Sequence, residues 1–358
     1  MVNVKQVALL AGVSSATVSR ALTSPDRLRP DTLERVQNAI ASLNYVPFSA
    51  ARELRQGRTR SVGIIAPTLM NELYAKAVDT LEAQLDRLGY TVLLTCHRDD
   101  SETELRCARA LLERRVDGIA IIGSQHHPEV FSLIHKHAIP YVLMWAVDRE
   151  GMHPTVGYDN RLAMRRLTTY LVKQGHRQFA VLPGPLETQF LSSQRLLGIR
   201  DVLSENDISL PDNRIFPTPY DASAVRQAVR VCLQRKDLLL HREQPTALIC
   251  INDFIAVAAI AECRTLGLSV PSDISVTGFG DWQMAELVTP ALTTVHSNPV
   301  LIGELTSRNL IEQIEGGAKN IQTEFEPDLV IRESTAPPRH KWRPQIKSAT
   351  PCHHALLS

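Results

Sequence analysis

The chain has 358 residues, of which 44% are hydrophobic and 22% charged. These values exclude a chain too polar to fold and predict two or three globular domains. The net charge of +1 conceals an asymmetry, because residues 1–60 carry a net charge of +5 and the remaining residues a net charge of −4. A basic N-terminal segment on an acidic body indicates that this segment contacts a polyanion.

Cysteine spacing and the length of the apolar runs exclude two further classes of protein. The six cysteines include no CxxC pair, so no metal site is predicted. Cys96, Cys232 and Cys250 lie in apolar runs and are predicted to be buried free thiols. No apolar run is long enough to cross a bilayer, and the first residues contain no apolar signal-peptide region. We therefore expect a protein of the reducing cytoplasm without a membrane partner.

The first 45 residues predict three short helices. The first covers residues 5–11, with Val7 and Leu10 spaced as residues of one inward face. The second covers residues 15–22 and follows Ser14, a good N-cap residue.

The third helix and a linker follow. Pro30 suits the first position of a helix, where a missing backbone N–H costs nothing. Residues 47–60 begin with a proline and end in a polar, basic run. Such a linker could order when it meets DNA.

From Ser61 onward, apolar runs alternate with helical patterns. The apolar runs predict seven buried parallel strands, at residues 62–66, 91–95, 118–122, 141–144, 179–182, 247–251 and 275–279. Helices are predicted between them, at residues 74–88, 102–114, 161–173, 194–203 and 254–266. Repeated strand–helix–strand units predict an α/β core of doubly wound parallel sheets. The core is long for a single sheet, so two lobes are expected.

The last segment, residues 333–358, is polar and contains proline and histidine. A disordered tail is the prediction. Cys352, His353 and His354 could suggest a metal, but a disordered end explains them more simply. The tail has no leucine heptad, so nothing indicates a tetramerising coiled coil.

Two motifs identify a family. The run from Val4 to Leu22, VKQVALLAGVSSATVSRAL, contains the stretch AGVSxxTVSR, and residues 43–47 add LNYVP. Together they resemble the LacI/GalR family of bacterial transcription regulators, and the resemblance extends to about Arg332. The resemblance implies an all-α helix-turn-helix DNA-binding headpiece over residues 1–46, a hinge helix or linker over 47–60, and a periplasmic-binding-protein-like core over 61–332.

The resemblance also implies how the core is divided. The N-lobe would comprise about 61–160 and 293–325, and the C-lobe about 161–292 and 326–332. A small effector would bind between the lobes, and the core would form a homodimer. No cofactor is implied.

The same resemblance places the second helix in the major groove of operator DNA. Ser15 and Ala16 would face base edges, and Arg20 would read a base, usually guanine, through two hydrogen bonds. Because Ser15 and Ala16 are small, we expect Arg20 to carry most of the direct readout. Three hydroxyl residues would contact phosphates instead: Ser14, Thr17 and Ser19. From the residues alone, Ser14 could equally be only a cap and Arg20 only a solvated surface residue.

The linker resembles the family's hinge helix, with two departures. Ser49, Ala50 and Leu54 fall where that helix contacts DNA, and Leu54 would enter the minor groove and bend the duplex. Phe48 stands where Asn is usual, which weakens the transfer of a polar contact. Arg29 stands where a capping Ser is usual, and the loss of that cap is expected to cost about 1 kcal/mol.

The effector would lie at the carboxyl ends of the strands. Seven residues match or replace the family's contacts there: Leu73, Tyr74, Trp145, Arg195, Asn252, Gly280 and Asp281. Leu73 could equally be ordinary core, and Asn252 could cap the helix that follows it. Arg195 is harder to explain otherwise, because the family arginine projects into the cleft and suits a carboxylate, a phosphate or a vicinal diol.

Two departures indicate the class of effector. Trp145 and Gly280 stand where sugar-binding members usually have Asp, whereas Arg195 is kept. A cleft that has lost two carboxylates is expected to be electropositive, which favours a gluconate-type sugar acid or a sugar phosphate. A neutral sugar stacked on Trp145 remains the alternative.

The implied function is a transcriptional repressor that binds a pseudo-palindromic operator as a homodimer and responds to this effector. A solute-binding protein that does not bind DNA is the alternative, and the headpiece argues against it. An enzyme is not expected, because the GxGxxG, P-loop, GxSxG and HExxH motifs are absent.

Overall fold

The computed structural model describes residues 2–45, 58–186, 190–234 and 244–339. The chain separates into two compact units, one made mainly of the residues up to Ser61 and the other of the residues from Val62 onward. The predicted hinge contacts Ser49, Ala50 and Leu54 lie outside the described residues and remain predictions.

The first unit contains the three predicted helices, at Val4–Ala11, Ser15–Thr23 and Pro30–Ser42. Their inward faces form a small apolar core of residues that are at most 5% exposed: Val7, Ala8, Ala11, Val18, Val36 and Ala39. The prediction for Leu10 is wrong, since its side chain is 55% exposed. With 3.6 residues per turn, Val7, Ala8 and Ala11 share one face, and Leu10 points about 110° away from its centre.

The caps of these helices follow from the local sequence. The Asn3 side chain accepts a hydrogen bond from the Gln6 backbone N–H at 3.1 Å, and the Gln6 side chain accepts one from Asn3 at 3.0 Å. Ser14 caps the second helix by accepting from the Thr17 N–H at 3.1 Å. Arg29 precedes the third helix without any side-chain cap bond, as expected where it replaces a capping Ser.

The N-lobe of the second unit is built on a six-stranded sheet. From one edge to the other, its strands are Gln322–Glu324, Thr155–Gly157, Tyr141–Met144, Gly118–Ile122, Ser61–Ala66 and Thr91–Cys96. Pairing is parallel where Ser61–Ala66 meets Gly118–Ile122, with Ile64 opposite Ala120. The helices of this lobe are Glu72–Arg87, Ser101–Glu113, Pro128–Lys136 and Pro299–Ile314.

The C-lobe has a parallel sheet of three strands, Phe179–Leu182, Ala247–Cys250 and Ser275–Thr277. Its helices are Asn160–Lys173, Phe190–Glu205, Ala222–Gln234, Asp253–Thr265 and Met284–Leu287. The strands Thr294–His296 and Asp328–Val330 form a separate antiparallel pair, at the points where the chain passes between the lobes.

The structure confirms the predicted fold class of a helical headpiece and an α/β core with two parallel sheets. Every predicted strand and core helix is present, with ends that shift by up to four residues. The sequence analysis missed three long helices, at Pro128–Lys136, Ala222–Gln234 and Pro299–Ile314, and four strands of three residues each.

The prediction that three cysteines are buried free thiols is correct for two of them. Cys232 and Cys250 are buried free thiols, as predicted. Cys96 is only half-buried, because it ends a strand at the edge of the larger sheet. Within the described part of the chain, no helix is long and apolar enough to cross a membrane.

The expectation of a disordered tail from residue 333 is wrong for its first residues. Ser334 is fully buried. Its hydroxyl donates to the Val276 carbonyl at 2.6 Å and accepts from the Thr293 N–H at 2.8 Å. These bonds attach the segment to the C-lobe sheet, where polar groups can be buried because they are paired. The tail from residue 340 lies outside the described residues.

His176 also attaches this segment to the C-lobe. The ring is 1% exposed, its Nε2 lies 3.0 Å from the Ala336 carbonyl, and its Nδ1 lies 2.8 Å from the Thr246 hydroxyl. A carbonyl can only accept, so Nε2 carries a proton. Burial lowers the pKa of His176 to about 4, so the ring is neutral at pH 7.

This burial predicts a loss of stability in mild acid. Between pH 6.5 and pH 4 the unfolded chain binds a proton at His176 that the folded chain does not, so the free energy of unfolding falls as pH falls. Relative to a His176→Gln variant, the wild type should lose up to about 3 kcal/mol between pH 7 and pH 4. Urea unfolding of both proteins across this range measures the difference. Parallel curves for the two proteins would contradict the prediction.

Candidate functional site

A cavity of about 320 Å³ lies inside the core. Its wall includes residues that directly follow four strands of the larger sheet: Pro67, His97, Gly123 and Trp145. Asn252 and Phe279 follow two strands of the smaller sheet and line it too. The cavity therefore sits at the carboxyl ends of both sheets, where α/β folds bind their ligands.

Aromatic rings make up much of the wall. Seven aromatic residues line the cavity: Tyr74, Trp145, Phe190, Tyr220, Phe254, Phe279 and Trp282. The rings of Tyr74 and Trp145 meet edge to face, with centroids 4.9 Å apart. Trp145 has a backbone φ of +57°, a conformation that is rare for a bulky residue. Such faces suit a ligand with a ring or another flat apolar side.

Among the residues that the structure describes, Arg195 is the one arginine that lines this wall, and it is 8% exposed. Its Nε donates to Asn160 Oδ1 at 2.8 Å, and its Nη1 donates to the Ile251 carbonyl at 2.8 Å. The guanidinium carbon lies 3.7 Å from the centroid of the Phe279 ring. These contacts fix the guanidinium by hydrogen bonds and a cation–π interaction.

The partners of Arg195 are all uncharged. Within the described ranges, no carboxylate forms an ion pair with it. A buried cation without a counter-ion is costly, and an anionic ligand in the cavity would relieve that cost.

The structure brings five of the seven predicted effector residues to the cavity: Leu73, Tyr74, Trp145, Arg195 and Asn252. Two of them also have the simpler role that the sequence left open. Leu73 is 6% exposed and belongs to the apolar core. The Asn252 side chain caps its helix by accepting from the Ile255 N–H at 2.8 Å.

Gly280 and Asp281 are not among the described residues that line the cavity, which corrects the prediction for both. Asp281 turns away from it, because its carboxylate binds Arg332 at 2.7 Å and His296 at 2.9 Å. These partners hold the pKa of Asp281 below its usual value against the effect of burial. Gly280 packs closely against the wall residue Trp282. A Cβ at position 280 would lie 2.6 Å from the Trp282 ring, so a larger residue would displace that ring.

The sequence analysis missed several residues of the wall. The polar ones include His97, Asp99, Ser124, Gln125 and Ser192. His97 and Asp99 follow a predicted strand, so the expectation that the effector lies at the carboxyl ends of the strands could have found them. The expectation of an electropositive cleft is wrong for the described wall, because it contains the carboxylate of Asp99 as well as the guanidinium of Arg195.

Asp253 does not line the cavity among the described residues, but it hydrogen-bonds to the wall residue Trp282. Its carboxylate is fully buried and accepts from the Trp282 backbone N–H at 2.7 Å and the Thr294 hydroxyl at 2.6 Å. Burial raises the pKa of Asp253 to about 6. The residue therefore joins the cavity wall at Trp282 to the strand Thr294–His296, which leads into the N-lobe.

The second candidate surface is the helix Ser15–Thr23 of the headpiece. Ser15, Ala16 and Arg20 are exposed there, and Ser19 is half-buried. The hydroxyls of Ser14 and Thr17 lie 3.0 Å apart, at the cap of this helix. The capping role that the sequence left open for Ser14 is present, and the positions predicted to read bases are exposed.

Comparison with known proteins covers both units. The profile of bacterial regulatory proteins of the lacI family matches residues 3–47, and the profile of the periplasmic binding protein-like domain matches residues 168–335. The chain is similar to the HTH-type transcriptional repressor PurR of Klebsiella pneumoniae (strain 342). The two are 31% identical over 340 residues, which cover 94% of this chain and 97% of that repressor.

Two solved structures extend the comparison. The lac repressor dimer bound to operator and the anti-inducer ONPF matches with a TM-score of 0.82 and 26% identity, over 94% of this chain and 99% of that one. The complex of the transcriptional regulator CelR with cellobiose matches with a TM-score of 0.68 and 26% identity, over 93% of this chain and 100% of that one.

The hydrogen bond from Thr294 to Asp253 predicts that substitutions at two buried threonines have different effects on stability. Thr294 and Thr306 are both fully buried. The Thr294 hydroxyl binds Asp253, whereas the Thr306 hydroxyl has no partner among the described residues. Thr294→Val should lower the free energy of unfolding by about 1–3 kcal/mol, because it removes a donor from a buried carboxyl.

Thr306→Val is the matched control. It should leave the stability unchanged or raise it, because it removes an unpaired polar group. Urea unfolding at pH 7 compares the two variants. Equal losses of stability would show that the bond to Asp253 contributes nothing.

Proposed function

This chain belongs to the lacI family of bacterial regulatory proteins, and from that premise we propose how it binds DNA and what controls the binding. It is a DNA-binding transcriptional repressor with a ligand-binding core, and its relatives are repressors, not enzymes. We propose that it acts in the cytoplasm as a homodimer on a pseudo-palindromic operator. An effector in the cavity would set its affinity for DNA.

Arg20 would be the principal reader of the operator. Its side chain is exposed on the helix Ser15–Thr23, together with Ser15 and Ala16. Ser15 can offer a single hydroxyl and Ala16 a methyl group, whereas a guanidinium can donate two hydrogen bonds to guanine. The lac repressor structure, in which a dimer is bound to operator, supports the use of two headpieces on two half-sites.

The effector would be an acid, either a sugar acid or a sugar phosphate. The observation that carries this proposal is the buried guanidinium of Arg195, which is held in place by uncharged groups. A carboxylate or phosphate placed against it gains a charge-assisted hydrogen bond. The cavity volume of about 320 Å³ lies in the range of small-molecule sites.

A neutral sugar is the second candidate. The CelR structure contains cellobiose, and the aromatic wall of this cavity offers ring faces on which a sugar could stack. A neutral sugar places no charge against Arg195, which forms no ion pair within the described residues, so the acid is preferred. The headpiece argues against a solute-binding protein that does not bind DNA.

Control of DNA binding would be a shift between two arrangements of the lobes. A ligand can move such an equilibrium only by its difference in affinity for the two states. The typical coupling free energy between two sites is about 1–3 kcal/mol. The sign of the effector's effect on operator binding distinguishes an inducer, which weakens it, from a corepressor, which strengthens it.

The headpiece predicts the effect of removing the base reader. Arg20→Ala should weaken operator binding by about 1–3 kcal/mol and relax the preference at one position in each half-site. Selection of bound sequences from a random pool, followed by fluorescence anisotropy, measures both effects. Arg27→Ala, which removes an exposed arginine outside this helix, is the control. A loss that is equal for all sequences would mean that Arg20 contacts only phosphates.

The cavity predicts which ligands bind. Isothermal titration should show saturable binding of gluconate or of a sugar phosphate and none of neutral hexoses. Arg195→Gln should weaken the binding of the acid at least tenfold, since a hydrogen bond to a charged group contributes about 1.5–3 kcal/mol. Binding of glucose or cellobiose without any acid would overturn the acidic effector and leave the DNA-binding function intact.

A further inference from the structure

The turn after the strand Thr91–Cys96 brings two polar residues to the cavity that the family resemblance did not assign. His97 and Asp99 both line the wall. The turn is tied to the neighbouring strand, because the His97 N–H donates to the Ala66 carbonyl at 3.0 Å and the Arg98 N–H to the Pro67 carbonyl at 2.9 Å. His97 and Asp99 are therefore held in place by backbone bonds.

The backbone of this turn is in an unusual conformation. Arg98 has a φ of +56° and Asp99 a φ of +58°, in the left-handed region that costs about 1–2 kcal/mol per residue for side chains other than glycine. Asp tolerates this region better than most residues. The turn keeps Asp99 at the cavity despite this cost.

His97 lies next to Asp99 with unused hydrogen-bonding capacity. Neither ring nitrogen has a partner among the described residues, and both are shielded from solvent. Burial lowers the pKa of His97, although the carboxylates of Glu104 and Asp99 oppose this effect. The ring is therefore neutral at pH 7, with one donor and one acceptor. A ligand hydroxyl that reached the ring would find there one donor and one acceptor without a partner among the described residues.

The charges of Asp99 and Arg195 both act on the pKa values of the same two tyrosines. Burial raises the pKa of the Tyr74 and Tyr220 phenols, and for both phenols Arg195 lowers the pKa while Asp99 raises it. Both phenols line the cavity, so each of the two charges acts on the same two groups of its wall. Arg195 and Asp99 are the only formally charged residues at pH 7 in the described wall, which makes that wall neutral in sum.

We infer that Asp99, together with His97, determines the specificity of the cavity and selects a singly charged sugar acid over a phosphorylated sugar. This inference rests on the proposed acidic effector. The carboxylate of the sugar acid binds Arg195, and its hydroxyl groups donate to Asp99 and exchange hydrogen bonds with His97. A phosphate adds about 1.5–2 negative charges at pH 7, and Asp99 repels the charge that Arg195 cannot neutralise.

The test is the exchange of Asp99 for Asn. Asn also tolerates the left-handed backbone, so Asp99→Asn keeps the turn and removes only the charge. Asp86→Asn is the matched control, because Asp86 is exposed in the same lobe and does not line the cavity. Isothermal titration of the full chain with gluconate, 6-phosphogluconate and glucose measures the affinities. Thermal unfolding checks that each variant is folded.

The expected result of Asp99→Asn is that the affinities for the two acids change in opposite directions. The wild type and Asp86→Asn should prefer gluconate. In Asp99→Asn, gluconate should bind about tenfold more weakly, because a charge-assisted hydrogen bond becomes a neutral one. The same variant should bind 6-phosphogluconate about tenfold more tightly, because a like charge is gone. A merely structural role for Asp99 would weaken both acids together.

Other outcomes separate this inference from the function on which it rests. A wild type that prefers 6-phosphogluconate, or an Asp99→Asn variant with unchanged selectivity, would overturn the role of Asp99 and leave an acidic effector in place. A wild type that binds glucose but neither acid would overturn the acidic effector and this inference with it.

Discussion

The ligand-binding wall of the C-lobe depends on one buried guanidinium. Arg195 donates to Asn160, at the start of one helix, and to the carbonyl of Ile251, just after a strand, and its face rests on Phe279, which follows another strand. A cation removed from water is tolerated only where its donors are paired. These three segments must therefore be in place together. None of the partners of Arg195 among the described residues is negatively charged, and this is the observation that supports the proposal of an anionic ligand.

One buried carboxylate, that of Asp253, hydrogen-bonds both to the cavity wall and to a strand at the crossover between the lobes. Asp253 receives hydrogen bonds from Trp282, in the wall, and from Thr294, in the strand that leads to the N-lobe. Nearby, Asp281 binds His296 and Arg332 in the two paired strands at the crossover. A ligand that displaced Trp282 would disturb the same bonds that position the crossover. In the proposed control of DNA binding, these bonds would connect the cavity to the crossover between the lobes.

Regular local patterns made most of the fold predictable. The buried strand Gly118–Ile122 is a continuous apolar run, and the capped helix Ser15–Thr23 follows Ser14, so both could be found without tertiary information. The helix Pro299–Ile314 was missed because it buries polar and small residues such as Thr306, Asn309 and Gln313 beside its apolar ones. Its pattern therefore has no clear apolar face. Strands of three residues, such as Gln322–Glu324, are too short to show any period.

The sequence by itself determined the family, the headpiece and the position of Arg195, because these depend on motifs and on local periodicity. Only the tertiary structure decided which polar residues meet in the cavity. Asp99 lines the wall and Asp281 does not, although both follow strands. Arg332 and His296 bind the Asp281 carboxylate, and no ion pair holds the Asp99 carboxylate within the described part of the chain. The direction of a side chain depends on partners that are distant in the sequence, and only the folded structure shows which residues those partners are.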